Sequence, residues 1–227
     1  MISFQNVSKK FSSSITALED INLEIKNGEF VFVVGPSGAG KSTLLRLLTR
    51  EYLPNSGKIL LDDVDITKIK PQDIPEYRRK IGFVFQDNKL LDDKTVFENV
   101  ALALQVRNTP EAEIHKEVER TLKLFEIWDR RNLFPRQLSG GEAQRVAIAR
   151  AIIGKPKVLI ADEPTGNLDP QTSWSVLQLL NEINSWGTTV VMATHNKEIV
   201  DMQKRRVIAI KNGKVTKDKT EGKYEFH

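Results

Sequence analysis

An α/β fold, built on a largely parallel sheet flanked by helices, is what this 227-residue sequence predicts. Three observations carry it. Phe30–Val34 is an unbroken apolar run ending in glycine, as expected of a central parallel strand covered on both faces. Val158–Ala161 and Thr188–Ala193 are further such runs, separated by a segment with Val176, Leu179, Leu180 and Ile183 on one helical face; this is a strand–helix–strand unit. Third, the loop Gly35-Pro36-Ser37-Gly38-Ala39-Gly40-Lys41-Ser42 joins the first of these strands to an apolar helix starting at Thr43.

The remaining elements follow from periodicity. Ile2–Phe4 and Ile21–Ile25 alternate apolar and polar, as half-buried strands do, and a polar loop with Ser12, Ser13 and Ser14 lies between them. Gly57–Leu61 and Ile81–Phe85 are expected strands. From Asn88 to Pro156 the pattern turns helical, with Ile114, Val118, Leu122 and Phe125 forming one apolar stripe. Arg206–Ile210 followed by Asn212-Gly213 signals a strand and a tight hairpin turn. There are no internal repeats.

Composition narrows the class. Forty per cent hydrophobic residues suffice for a core, and the length suits one domain with an insertion. The absence of cysteine excludes disulfides and thiolate metal sites and fits a reducing cytoplasm. Residues 1–6 enter a strand without the basic-then-apolar pattern of a secretory leader, and no apolar run approaches the ~18–20 residues that span a bilayer. The net charge of +4 resides in the tail, where from Asp201 onward eight basic residues face four acidic ones, Glu225 among them. Such a tail is either a solvated face or a contact for anionic lipid or an acidic partner. No basic patch with interleaved aromatics is present, so nucleic acid is not an expected partner. His115 and His227 are expected to be solvated.

The Gly35–Ser42 loop fits G-x-x-x-x-G-K-S in the strand–helix context that motif needs. Its glycines free backbone N–H groups to face phosphate oxygens, and the helix N-terminus adds partial positive charge. Lys41 is placed for β- and γ-phosphates and the Ser42 hydroxyl for Mg²⁺. Asp162 closes an apolar strand, where a carboxylate is costly unless it meets a cation or donors. Holding Mg²⁺ directly or through water supplies that compensation. Glu163, one residue on, can face the γ-phosphate; the alternative is that the pair caps the next turn.

Between these two motifs in sequence lies Leu138-Ser139-Gly140-Gly141-Glu142. A fixed pentapeptide occurs at on the order of one in a million positions. In this order the three motifs resemble those of the ATP-binding-cassette family, from Ile2 to about Tyr224. The resemblance implies an ATPase: a P-loop NTPase with a RecA-like mixed sheet flanked by helices, an antiparallel β subdomain and an inserted α-helical subdomain. The single domain covers 2–224, with the core and β subdomain in 2–87 and 157–224 and the helical subdomain with the signature in 88–156. By the same resemblance Glu163 is the catalytic carboxylate. Gln86 contacts Mg²⁺ or the lytic water, and His195 contacts the γ-phosphate. Thr43 joins the phosphate loop, and Phe11 stacks on adenine, although a core phenylalanine is the other possibility. ATP and Mg²⁺ are the implied ligands, with Ser42, Gln86 and Asp162 toward the metal. Ser139, Gly140 and Gly141 complete the site of an opposing subunit, which implies a head-to-tail, ATP-dependent homodimer with Gly166–Asp169 along its interface. Ala143 departs from the family's glutamine, and Phe11 from its commoner tyrosine.

Gly28–Phe32, Gln86–Leu91, Thr95–Ala101 and Thr165–Asp169 resemble the branch of the family that serves bacterial cell division. That branch usually has phenylalanine where Asn88 stands. The resemblance implies an integral membrane partner, a peripheral place on the cytoplasmic face of the membrane, and transmission of ATP-driven shape change to control cell-wall hydrolases. Leu90, Leu91 and Val96 would then receive a partner helix or belong to the core. The alternative is a lipoprotein-release or macrolide-type exporter subunit, which shares Gly166–Asp169. Cassette factors of translation or DNA repair carry a second cassette or a long coiled coil, and neither occurs here.

Overall fold

The computed structural model describes residues 1–12 and 14–224; Ser13, Glu225 and His227 of the sequence expectations lie outside the described residues. Along the chain, β1 (Ile2–Lys10) and β2 (Thr16–Ile25) precede β3 (Phe30–Val34), α1 (Lys41–Leu48), β4 (Ser56–Leu61) and β5 (Val64–Asp65). The short α2 (Ile74–Arg78) leads into β6 (Ile81–Val84), and α3 (Val96–Gln105), α4 (Glu111–Leu124) and α5 (Gly140–Ile152) follow. The chain closes with β7 (Val158–Asp162), α6 (Pro170–Ser185), β8 (Thr189–Ala193), α7 (Lys197–Gln203), β9 (Arg206–Lys211) and β10 (Lys214–Lys219).

Two sheets form. The antiparallel one runs β2-β1-β4-β5, and the larger runs β10-β9-β3-β8-β7-β6, parallel throughout except for β10. Every residue of β3, β7 and β8 is buried, because the large sheet is covered on both faces. The two-residue period of a strand divides these side chains cleanly. Val31, Val33, Val158, Ile160, Val191 and Ala193 pack with α1 and the antiparallel sheet. Phe30, Phe32, Val34, Leu159, Ala161, Val190 and Met192 pack with helices α3 to α7 on the other side.

The apolar stripe of α4 is buried, with Phe125 one residue past the helix end, and it meets Val96, Val100 and Leu104 of α3 and Val146 of α5. Helix does not fill residues 88–156, however. Asn88–Thr95 and Phe125–Ser139 are turns and short 3₁₀ segments, which the apolar periodicity could not distinguish from helix. β1 and β2 also run further than their alternation suggested, since Lys10 pairs with Thr16 and Ser8 with Ser56 outside the apolar core. At the Asn212-Gly213 turn both residues have positive φ, +50° and +76°, the mirror-image turn that suits a tight hairpin.

Leu122 is wholly buried in the helical cluster. Leu122→Ala is expected to lower unfolding stability by about 2–5 kcal/mol, measured by urea denaturation. A loss below about 0.5 kcal/mol would show that the α4 stripe is not part of the cooperative core.

Candidate active site

The parallel pairing sets Val33 beside Ala193, and Ala193 beside Asp162, so β3, β7 and β8 end at one edge. From the end of β3 the chain turns through Gly35–Gly40 into α1. Gly40 has φ +109°, and a Cβ there would lie 2.5 Å from the Ala17 carbonyl oxygen, so no larger residue fits. Among the described residues no side chain caps α1, which leaves its first-turn N–H groups available to an anion. Lys41 is buried and folds back over the loop; its Nζ donates to Gly35 O at 2.8 Å and Pro36 O at 3.2 Å.

Asp162 is buried at the end of β7 and accepts from Ser42 Oγ at 3.1 Å. Burial pushes its carboxyl above the usual range, with the Glu163 charge adding to the shift, while the Ser42 hydrogen bond, Arg46 and Lys41 oppose it. Glu163 has left-handed backbone at φ +51°, an unfavourable conformation for a residue with a side chain. It is held there by its N–H donating to Ala193 O at 2.9 Å. Its side chain turns to the opening between strands: Oε2 accepts from the His195 backbone N–H at 3.1 Å and lies 2.8 Å from His195 Nδ1, and Oε1 lies 3.8 Å from Lys41 Nζ.

All of these groups but Asp162 meet at one cleft of about 660 Å³. Ser37 through Thr43 form its floor, with Gln86, Glu163 and His195 on one side and Phe11 at its mouth. Phe11 is half exposed and meets Tyr52 edge-on, with ring centroids 5.1 Å apart, so it does not sit in the core. The cleft also uses Ile15, Thr16 and Ala17, which sequence reasoning missed; they belong to an ordinary strand start and carry no motif. Asp162 lies behind Ser42 rather than in the lining.

Ser139, Gly140 and Gly141 do not line this cleft. Ser139 caps α5: its Oγ accepts from Glu142 N–H at 3.3 Å, and Glu142 Oε2 accepts from Ser139 N–H at 2.8 Å. Arg130 Nε donates to Glu142 Oε1 at 2.8 Å, and with the Ser139 N–H it holds the Glu142 carboxyl below its ordinary range. Sequence reasoning missed this capping box, although its S-x-x-E spacing is a recognisable signal, whereas Arg130 carried none. A Cβ on Gly141 would lie 2.6 Å from Thr172 Cγ2, so the α5 start packs directly on α6. There Asp169, the last residue of Gly166–Asp169, caps α6 by accepting from Thr172 N–H at 3.0 Å. Among the proposed docking residues, Val96 is wholly buried and belongs to the core, Leu90 packs partly against it, and Leu91 is exposed. His115 is exposed, with its ring 4.8 Å from that of Phe97.

A parallel sheet ending in a glycine-rich loop, a buried aspartate and an out-turned glutamate defines a class, the nucleoside-triphosphate hydrolases of the P-loop type. The model of the ABC transporter family matches residues 18–166, and the chain belongs to that family of ATP-binding cassettes, as its motifs implied. It is an ATPase of the ABC type. It is 54% identical to the cell division ATP-binding protein FtsE of Bacillus subtilis (strain 168) over 99% of this chain and 98% of that protein. It is 44% identical to FtsE of Escherichia coli (strain K12), over 94% and 96%. A dimeric ATP-binding cassette in a post-hydrolysis state bound to ADP and Pi superposes with a TM-score of 0.89 at 37% identity, covering both chains fully. The cbiO1 protein of Clostridium perfringens, part of the ABC transporter complex cbiONQ, gives 0.89 at 35% identity over 97% of this chain and 88% of that one.

Because burial raises the Asp162 pKa in the nucleotide-free chain, its ionisation opposes folding once pH exceeds the unfolded value of about 3.9. Asp162→Asn, which keeps an acceptor for Ser42, is therefore expected to raise the melting temperature at pH 7 by roughly 2–4 °C. That gain disappears below about pH 4, where wild type is also protonated. Calorimetry of the nucleotide-free variant checks this, and a lower melting temperature at pH 7 would refute it.

Proposed function

We propose that this chain is the ATP-hydrolysing subunit of a cell-division complex of the FtsE–FtsX type. In it, ATP binding and hydrolysis drive a shape change that a membrane partner relays to cell-wall hydrolases. The observation that carries the reading is FtsE-level identity across essentially the whole chain, together with an intact nucleotide cleft. No helix among the described residues is long and apolar enough to cross a membrane, which fits a peripheral subunit held at the cytoplasmic face through its partner.

In this reading the triphosphate lies on the N-terminus of α1, over Ser37–Thr43. Lys41 exchanges the carbonyl oxygens of Gly35 and Pro36 for β- and γ-phosphate oxygens. The adenine stacks on Phe11. Among the described residues no three acidic or histidine side chains gather into a protein-only metal site. The Ser42 hydroxyl hydrogen-bonded to a buried, poorly compensated Asp162 carboxylate is nevertheless the hard-oxygen pair that Mg²⁺ takes alongside phosphate. Ser42, Asp162 and the Gln86 amide oxygen would hold the ion, which when bound neutralises charge on the β- and γ-phosphates.

Glu163 then orients the attacking water and accepts its proton, held in line by the His195 backbone N–H and ring. His195 is exposed at the cleft, placed to reach the γ-phosphate as well. The signature turn of Ser139, Gly140 and Gly141 lies outside its own cleft, which supports a head-to-tail dimer in which each turn meets the nucleotide of the other copy. Two solved structures of one similar cassette are dimeric.

Glu163→Gln is expected to retain ATP binding while slowing turnover roughly 10²–10⁴-fold, with ATP-dependent dimers accumulating on size-exclusion chromatography. Wild-type turnover would remove Glu163 from this role. Ser139→Arg is expected to abolish turnover while isothermal titration of the monomer shows unchanged ATP affinity. Full activity in that variant would exclude the shared site.

A further inference from the structure

Two consecutive residues just beyond Gln86 have backbone that L side chains disfavour, Asn88 at φ +57° and Lys89 at φ +46°. In this region Cβ crowds the following carbonyl oxygen, and lysine has no short polar side chain to offset it. Asn88 Oδ1 is moreover buried without a hydrogen-bond partner among the described residues. Such a turn persists only where its surroundings over-determine it.

Within the turn, Asn88 N–H donates to Phe85 O at 3.1 Å and Lys89 N–H to Asp87 O at 2.6 Å; from outside, one guanidinium holds it. Arg150, near the end of α5, donates from Nη2 to Asn88 O at 2.7 Å and from Nη1 to Lys89 O at 2.8 Å. Nη1 also reaches Asn99 Oδ1 at 3.4 Å. Asn99 is wholly buried on α3 and extends the clamp: Oδ1 accepts from Leu91 N–H at 2.8 Å, and Nδ2 donates to Leu91 O at 3.1 Å, Lys94 O at 3.1 Å and Thr95 O at 3.0 Å. Arg150 makes no ion pair among the described residues, and burial lowers its pKa. A half-buried charge given only carbonyl dipoles is a poor device for stability alone. Arginine's flat fork, which satisfies two adjacent carbonyls at once, explains its presence better.

We infer that Arg150 is a positioning residue for hydrolysis: it ties the backbone beside Gln86 to the same helix that begins at Ser139, so the Gln86 side chain and the signature turn keep a fixed separation. The inference rests on the place proposed above for Gln86 beside the γ-phosphate and the metal. A conformational change that moves α5 thereby drags the Gln86 segment with it.

The test uses full-length variants assayed for Mg²⁺-dependent ATP turnover and for equilibrium binding of a fluorescent ATP analogue. Arg150→Lys keeps the charge and loses the fork; kcat is expected to fall about tenfold with KM and analogue affinity within about twofold of wild type. Asn88→Gly with Lys89→Gly removes the left-handed penalty, so adding both to Arg150→Lys is expected to recover kcat by about threefold or more. Arg150→Gln, which retains one amide donor, carries the same expectation and serves if the lysine variant does not fold. Unchanged kcat in a folded Arg150 variant, or no recovery with the glycines, overturns the inference, because a role in α5 packing alone would not respond to the turn. Gln86→Ala separates the two claims. If it turns over at the wild-type rate, the place assigned to Gln86 is wrong. If it is slow while Arg150→Lys is normal, only the positioning role falls.

Discussion

The site depends on the parallel register of β3, β8 and β7. Because Val33, Ala193 and Asp162 lie side by side, the chain leaves the sheet three times at the same edge: at Gly35, at Thr194 and at Glu163. Ligand sites of open α/β sheets lie outside the carboxyl ends of the strands for this reason. The alternating split of each strand between two cores fixes the register. Slipping one strand by a residue would exchange its two faces and move the site with it.

Within that frame the cleft holds charges in unfavourable places by local means. Lys41 is shielded by two carbonyl oxygens, Asp162 by one hydroxyl, and Glu163 by the His195 backbone and ring. Each of these partners is weaker than a phosphate or a cation would be. The cleft is thus arranged around ligand charge, through hydrogen bonds that a nucleotide can replace.

The central strands were legible because full burial writes continuous apolar runs, and the phosphate loop because its glycines serve backbone geometry rather than packing. Asp162, Glu163, Gln86 and His195 converge at the cleft or directly behind it, and their place at strand ends was visible in the sequence. What sequence could not give was contact made by backbone or by unremarked side chains. Ala17 bounds Gly40 through a carbonyl, Arg130 reaches Glu142 across a loop, and Arg150 acts through two carbonyl oxygens. The turns at Asn88–Thr95 were hidden for a related reason: Asn99 and Arg150 impose them from a distance, and Lys89 has no local preference for the backbone it adopts.

Gly141 has no side chain, and Thr172 fills the space one would need. The start of α5 and the start of α6 are thereby interlocked, and each is also capped by its own preceding residue, Ser139 and Asp169. The serine turn and the Gly166–Asp169 strip therefore form a single stiff lip on the molecule's surface. A load applied to one is borne by both, so a second copy pressing there would meet one edge instead of two independent loops.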